Sequence, residues 1–182
     1  MSSEVELIEA AKRGSMTAFA DLVRAYREGL LRFLMTRTLS YADAEDALQD
    51  TLINAYRYLH SYDSRWRFST WLYRIAINNA QKLRQATTVE LGDLRDEESD
   101  PLEQCIVDSE RENLWVNARR LLKDEVYTAM WLRYVEDMSV NDIAAVLERS
   151  VSWTKVNLLR ARRILEAELN RETGTNKSKA YG

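Results

Sequence analysis

The chain has 182 residues with 26 Lys and Arg against 29 Asp and Glu, a formal net charge of −3, and only one His, one Cys, one Pro and five Gly. That length limits it to one ordinary domain or two small ones, each near the lower size for an independent core. Cys105 has no partner for an internal disulfide, and with His60 the lone histidine neither a zinc site nor a Cys–His nucleophile pair is expected. The glycines (Gly14, Gly29, Gly92, Gly174, Gly182) stand singly, which excludes a glycine-rich phosphate loop. No signal peptide and no apolar run of about 18 residues is visible, so the expectation is a soluble, cytoplasmic, non-enzymatic protein with no cofactor and no metal.

Few Gly and Pro beside many Ala, Leu, Arg and Glu predict an all-α chain. The first helix is expected from about Glu4 to Arg13, ending at Gly14, which can adopt the left-handed cap. A second follows Ser15, with Phe19, Leu22, Val23, Tyr26, Leu30, Phe33 and Leu34 at three- and four-residue steps along one buried face. Ser40 and Asp43 form a capping-box pattern opening a third helix, which carries Ala44, Ala47, Leu48, Ala55 and Leu59 inward. Residues His60 to Phe68 break the period and are predicted as a loop. A fourth helix runs from about Ser69 to Gln85. From Ala86 to Asp108 no apolar period persists, and Pro101 falls there; this reads as a flexible linker with at most a short helix around Leu102 to Val107.

Beyond it, helices are predicted over about Glu110 to Leu122 and Asp124 to Val135. Ser139 to Asp142 is a second capping-box pattern, opening a short helix that ends near Leu147. The turn Glu148-Arg149-Ser150 then leads into a long helix to about Asn170. A short helix, a three-residue turn and a longer helix make a helix-turn-helix. The predicted organisation is thus two small helical domains, 1–86 and 110–170, joined by a flexible acidic linker over 87–109. A disordered tail (171–182) follows, with no further C-terminal domain expected.

Charge is distributed by segment. Val89 to Glu110 holds nine acids and one base, Arg95, a net −8 that leaves +5 on the rest. Arg65, Arg67, Arg74, Lys82 and Arg84 form an acid-free cluster; Lys155, Arg160, Arg162 and Arg163 form another. Each alone is compatible with a solvated face, but two basic clusters flanking segregated acids point to an anionic partner.

Three constellations carry chemistry. In the last helix Thr154, Leu158, Ala161 and Leu165 make one packed stripe, and Lys155, Leu159, Arg160 and Arg163 project elsewhere. The first turns of a recognition helix meet base edges and its later cations hold phosphates, which singles out Trp153, Lys155, Val156 and Arg160. Trp153 serves equally well as a cap on the small core, and Arg162 as a member of an ion pair within the domain. Between Arg65 and Arg74, bases and aromatic rings alternate (Arg65, Trp66, Arg67, Trp71, Arg74), and Trp71, Arg74 and Asn78 share a helical face. Rings among cations suit single-stranded nucleic acid, stacking contributing about 1–3 kcal/mol per base. An ordinary core accounts for about half of these rings, Phe68 and Tyr73 first. On the third helix Asp46, Gln49 and Asp50 share a face. The helix dipole accounts for Asp43 but not for Asp50, well inside the helix. Such a patch fits a basic protein partner; a metal would need further ligands, and none accompany it.

Asp43-Ala44-Glu45-Asp46-Ala47-Leu48-Gln49-Asp50-Thr51 and Phe68-Ser69-Thr70-Trp71-Leu72-Tyr73-Arg74-Ile75-Ala76-Ile77-Asn78 resemble region 2 of bacterial sigma factors, above all the small extracytoplasmic-function group. Asp142-Ile143-Ala144 and Arg160-Ala161-Arg162 resemble region 4 of the same proteins. The resemblance spans about residues 15–85 and 110–168. It implies an RNA polymerase specificity subunit. Asp46, Gln49 and Asp50 would bind the clamp helices of the polymerase large subunit. Arg65, Trp66, Arg67, Trp71, Arg74 and Asn78 would hold the melted −10 element. Trp153, Lys155, Val156, Leu159, Arg160 and Arg163 would meet the duplex −35 element. The acidic linker would thread toward the polymerase active-site channel, and an anti-sigma factor would hold the protein inactive. No small-molecule substrate is implied.

Where many relatives begin the recognition helix Thr-Val-Lys-Ser-Arg, this chain has Trp153-Thr154-Lys155-Val156-Asn157, so a promoter sequence does not carry over. The alternative reading is a free-standing helix-turn-helix regulator, which leaves the acidic patch and aromatic loop without a role. A DNA-processing enzyme would need a metal or nucleophile set that the chain lacks.

Overall fold

In a computed structural model of the chain, the backbone is described for residues 3–91 and 110–179, and side chains for 3–83 and 114–171. Among the described residues there is no strand, and no helix is long and apolar enough to cross a membrane. The helices fall into two compact units.

The first unit contains α1 (Glu4–Lys12), α2 (Met16–Met35), α3 (Tyr41–Tyr58), a single 3-10 turn at Leu59–Ser61, and α4 (Phe68–Leu91). Its helix starts follow local chemistry. Ser3 and Glu6 close a reciprocal capping box at α1, and the Ser15 and Ser40 hydroxyls accept the backbone N–H groups of Ala18 and Asp43. Such caps contribute about 1 kcal/mol each. Gly14 breaks α1 from α2 at φ +93, a conformation that a side chain disfavours. The predicted apolar face of α2 is buried, apart from Tyr26, which is half-buried; Leu30, Phe33 and Leu34 are fully enclosed. α3 packs along α2 and α4 through Ala44, Ala47, Leu48 and Ala55. Small residues at these steps let the helix axes approach closely. Phe68, Leu72, Tyr73 and Ala76 of α4 complete the core, with the Phe33 and Tyr73 rings edge-on at 5.3 Å.

α4 continues six residues past its predicted end at Gln85. The sequence from Ala86 to Leu91 has weak apolar period but neither Gly nor Pro, and extending an established helix adds one hydrogen bond per residue without a new nucleus. The first residues assigned to the linker are therefore helical. The remainder, including the short helix expected near Leu102 to Val107, lies outside the described residues.

The second unit contains α5 (Glu110–Leu121), α6 (Asp124–Tyr134), α7 (Val140–Leu147) and α8 (Val151–Lys179). α6 is its central element: Tyr127 to Leu132 are buried without interruption, the pattern of a helix enclosed on all sides. Trp115 of α5 packs on Tyr127 and Trp131 at ring separations of 5.9 and 5.1 Å. The connection to α7 is tied back by Arg133, whose Nη1 donates to the Met138 carbonyl at 2.8 Å. Ser139 caps α7, accepting the Asp142 N–H at 3.1 Å and donating to the Asp142 carboxylate at 2.6 Å. Ile143, Ala144 and Val146 of α7 meet Leu158, Ala161 and Leu165 of α8, with Thr154 fully buried, so the predicted stripe is the packed one. α8 runs on to Lys179, so the stretch from 171 expected as disordered tail continues as helix. No proline interrupts it.

Candidate partner and nucleic-acid surfaces

On α3 the side chains of Asp46, Gln49 and Asp50 are exposed on the side opposite Ala44, Ala47, Leu48 and Thr51. Helical spacing continues this face through Ile53 and Arg57, both exposed, with Ile53 46% accessible. The result is an acid–amide surface with an apolar side chain at its centre line. A polar chain, buried at Thr51 and Asn79 and half-buried at Asn54, fixes α3 to α4. Asn54 Nδ2 donates to Asn79 Oδ1 (3.2 Å), Asn79 Nδ2 donates to Thr51 Oγ1 (3.3 Å), and Thr51 donates to the Ala47 carbonyl (2.7 Å). Sequence reasoning missed this chain. Its one legible signal was an amide, Asn79, at an apolar position of the stripe Leu72, Ala76, Ala80.

The segment between the 3-10 turn and α4 is pinned from two sides. Lys12 of α1 donates to the Tyr62 carbonyl at 3.3 Å and lies over the Tyr62 ring; the Tyr62 hydroxyl donates to the Trp66 carbonyl at 2.6 Å. Trp66 is thereby held in place while remaining 43% exposed. Arg67 is exposed beside it, and Arg74 and Asn78 project from one exposed face of α4, which Lys82 extends. Trp71 shares that face but is only half exposed. Its ring packs on Tyr62 and Phe68 at 5.5 and 5.7 Å, so it forms the wall of the core as well as the edge of the surface. Phe68 and Tyr73 are core, as predicted. Arg65 is engaged: its Nη2 and Nε meet the Asp63 carboxylate at 2.6 and 2.8 Å. These hydrogen bonds hold the Asp63 carboxyl below, and the Arg65 guanidinium above, their ordinary ranges.

In α8, Lys155, Val156, Leu159, Arg160 and Arg163 fan over the half of the helix opposite the buried stripe, all exposed, with Val156 and Leu159 44% and 50% accessible. Lys155, Arg160 and Arg163 have no carboxylate within ion-pairing distance among the described residues. Arg162, in contrast, leans along the helix to Glu166 at 3.5 Å, the internal pair that the sequence allowed. Trp153 is half-buried at the flank, its backbone N–H capped by Ser150 Oγ at 3.1 Å, with the Arg149 guanidinium 5.5 Å over its ring. Arg149 in turn reaches α6, where both oxygens of Glu125 accept from its Nη2 at 2.7 and 2.9 Å. Nothing in local spacing announces a pair 24 residues apart.

Among the described residues no three His, Cys, Asp or Glu side chains gather as a metal site. The model of the Sigma-70 region 2 family matches residues 22–88, which span α2 to α4. The chain is 31% identical over 179 residues to the ECF RNA polymerase sigma-E factor of Haemophilus influenzae, covering 90% of this chain and 93% of that one. It is 32% identical over 180 residues to the RNA polymerase sigma-H factor of Pseudomonas aeruginosa, covering 90% and 92%. Among solved structures it resembles CnrH in complex with the cytosolic domain of CnrY, at a TM-score of 0.66 and 25% identity over 91% of this chain and 96% of that one. The sigma factor RpoE of Bartonella quintana, solved with the anti-sigma factor NepR, shares the fold at a TM-score of 0.71 and 21% identity over 84% and 96%. The protein is therefore a regulator of transcription initiation, not merely a helical DNA-binding module. The chain belongs to the extracytoplasmic-function (ECF) RNA polymerase sigma factors.

Proposed function

We propose that this sigma factor docks on the clamp helices of the core polymerase through Asp46, Gln49 and Asp50, holds the melted −10 strand on Trp66, Arg67, Trp71, Arg74 and Asn78, and reads the −35 duplex through Trp153, Lys155, Val156, Leu159, Arg160 and Arg163. Arg65 joins the −10 surface once it exchanges Asp63 for a phosphate. The division of labour follows the chemistry: rings exposed among cations take unpaired bases, and a helix after a short turn, lined with exposed cations, suits a duplex groove. It acts in the cytoplasm as a non-catalytic subunit. CnrH was captured with the cytosolic domain of CnrY and the Bartonella RpoE with the anti-sigma factor NepR, which supports control of this chain by an anti-sigma factor.

The observation that carries this reading is the α3 face, where two carboxylates and an amide stand exposed and aligned away from the core. A free-standing DNA-binding protein has no use for it. Asp50→Ala is expected to weaken competition for core polymerase about tenfold, equivalent to about 1.4 kcal/mol, with the circular dichroism and melting of the isolated protein unchanged. Unaltered competition would remove Asp50 from the interface.

A further inference from the structure

Among the described residues Lys155, Arg160 and Arg163 stand without carboxylate partners on the exposed half of α8, whereas Arg149, in the turn that opens that helix, is held by both oxygens of Glu125 and lies over the Trp153 ring. The two side chains are close to half exposed, so the pair lies at the surface and is accessible to a competing anion. A guanidinium presents the same donor fork to a carboxylate as to a phosphate. We propose that Glu125 occupies the place of a DNA phosphate on Arg149, so that the turn is electrically neutral until a duplex is seated well enough to displace it. This rests on the reading of α8 as the duplex-binding helix.

The physical consequence is discrimination. A duplex that approaches without base contacts gains nothing from Arg149 unless it separates the pair, and doing so leaves the Glu125 carboxylate facing phosphates. A duplex seated in register gains the contacts of α8 first and can then exchange Glu125 for a phosphate. Trp153 stays covered by the guanidinium in either state, because the ring contact uses the face of the planar group and the N–H donors lie along its edge. Glu125 therefore lowers affinity for DNA in general more than for the promoter.

The full-length chain is titrated with a fluorescent duplex of arbitrary sequence across a range of salt concentrations. For Glu125→Gln we expect tighter binding, and a slope of log affinity against log salt steeper by about 0.9, the signature of one additional phosphate contact. E125Q/R149A should lose that increment and match R149A. A brace with a purely structural role would shift melting but not the slope. Should E125Q disturb the first turn of α6, Glu125→Ala with the same two readouts replaces it, and circular dichroism reports the fold. An unchanged slope in a folded E125Q or E125A protein, with the parent chain binding normally, would overturn the proposal and leave the −35 reading standing. Failure of the parent chain to bind any duplex at low salt would overturn both.

Discussion

Glu148 ends α7 with φ 54 and ψ 39, the left-handed region, and its N–H turns back to the carbonyls of Ala144 and Ala145. A side chain there costs about 1 kcal/mol that glycine avoids. Glu148→Gly should stabilise the second unit by about 0.5–1 kcal/mol, read as a higher unfolding midpoint, with duplex binding retained. Tyr26 offers a different test. Burial, and then the hydrogen bond to Glu4, hold its phenol in the protonated form well above the ordinary tyrosine range. Because the folded state keeps this proton more tightly than the unfolded chain, its contribution is complete below about pH 10 and is lost as pH rises further. Alkaline unfolding of the parent protein should therefore begin earlier than that of Tyr26→Phe, whose stability should be flatter above about pH 10. Equal alkaline profiles would contradict this account of Tyr26.

At the scale of elements, α3 and α4 position two surfaces of different chemistry, and a polar chain through Thr51, Asn79 and Asn54 sets one helix against the other. Thr51→Val keeps the volume but removes the acceptor for Asn79 Nδ2. A buried amide short of a partner costs about 1–3 kcal/mol, and chemical denaturation should show a loss in that range. The helices themselves were legible because their causes are local: serine caps, three- and four-residue apolar steps, and a glycine at φ +93. The packed stripe of α8, from Thr154 to Leu165, followed from spacing alone. Two helix ends were misread, at Leu91 and Lys179, because a weak apolar period resembles loop; at the first, Gly92 directly after Leu91 was the better stop signal. Pairs that form only in the folded chain, Glu125 with Arg149 and Asn54 with Asn79, leave no periodic trace. Trp71 shows the same limit from the other side, since the phase that puts it with Arg74 and Asn78 does not tell that its ring packs on Tyr62 and Phe68.

For the molecule as a whole, the net charge of −3 averages over opposite populations. Nine acids concentrated between Val89 and Glu110 offset basic surfaces that lie one in each unit, and long-range attraction of DNA depends on the local field rather than the sum. On the proposed reading, an ECF sigma factor carries an acid–amide face, an aromatic-basic loop and a helix-turn-helix together so that protein, unpaired strand and duplex are met in a single event. The most direct test is transcription by core polymerase freed of other sigma factors, with this protein added, on a library of bacterial promoter fragments. Mapped RNA 5′ ends should cluster at a constant distance downstream of two shared sequence elements, and the clusters should vanish when Asp50→Ala replaces the parent protein at limiting concentration. A profile indistinguishable from core polymerase alone, from a folded protein that binds duplex tightly by itself, would contradict the account.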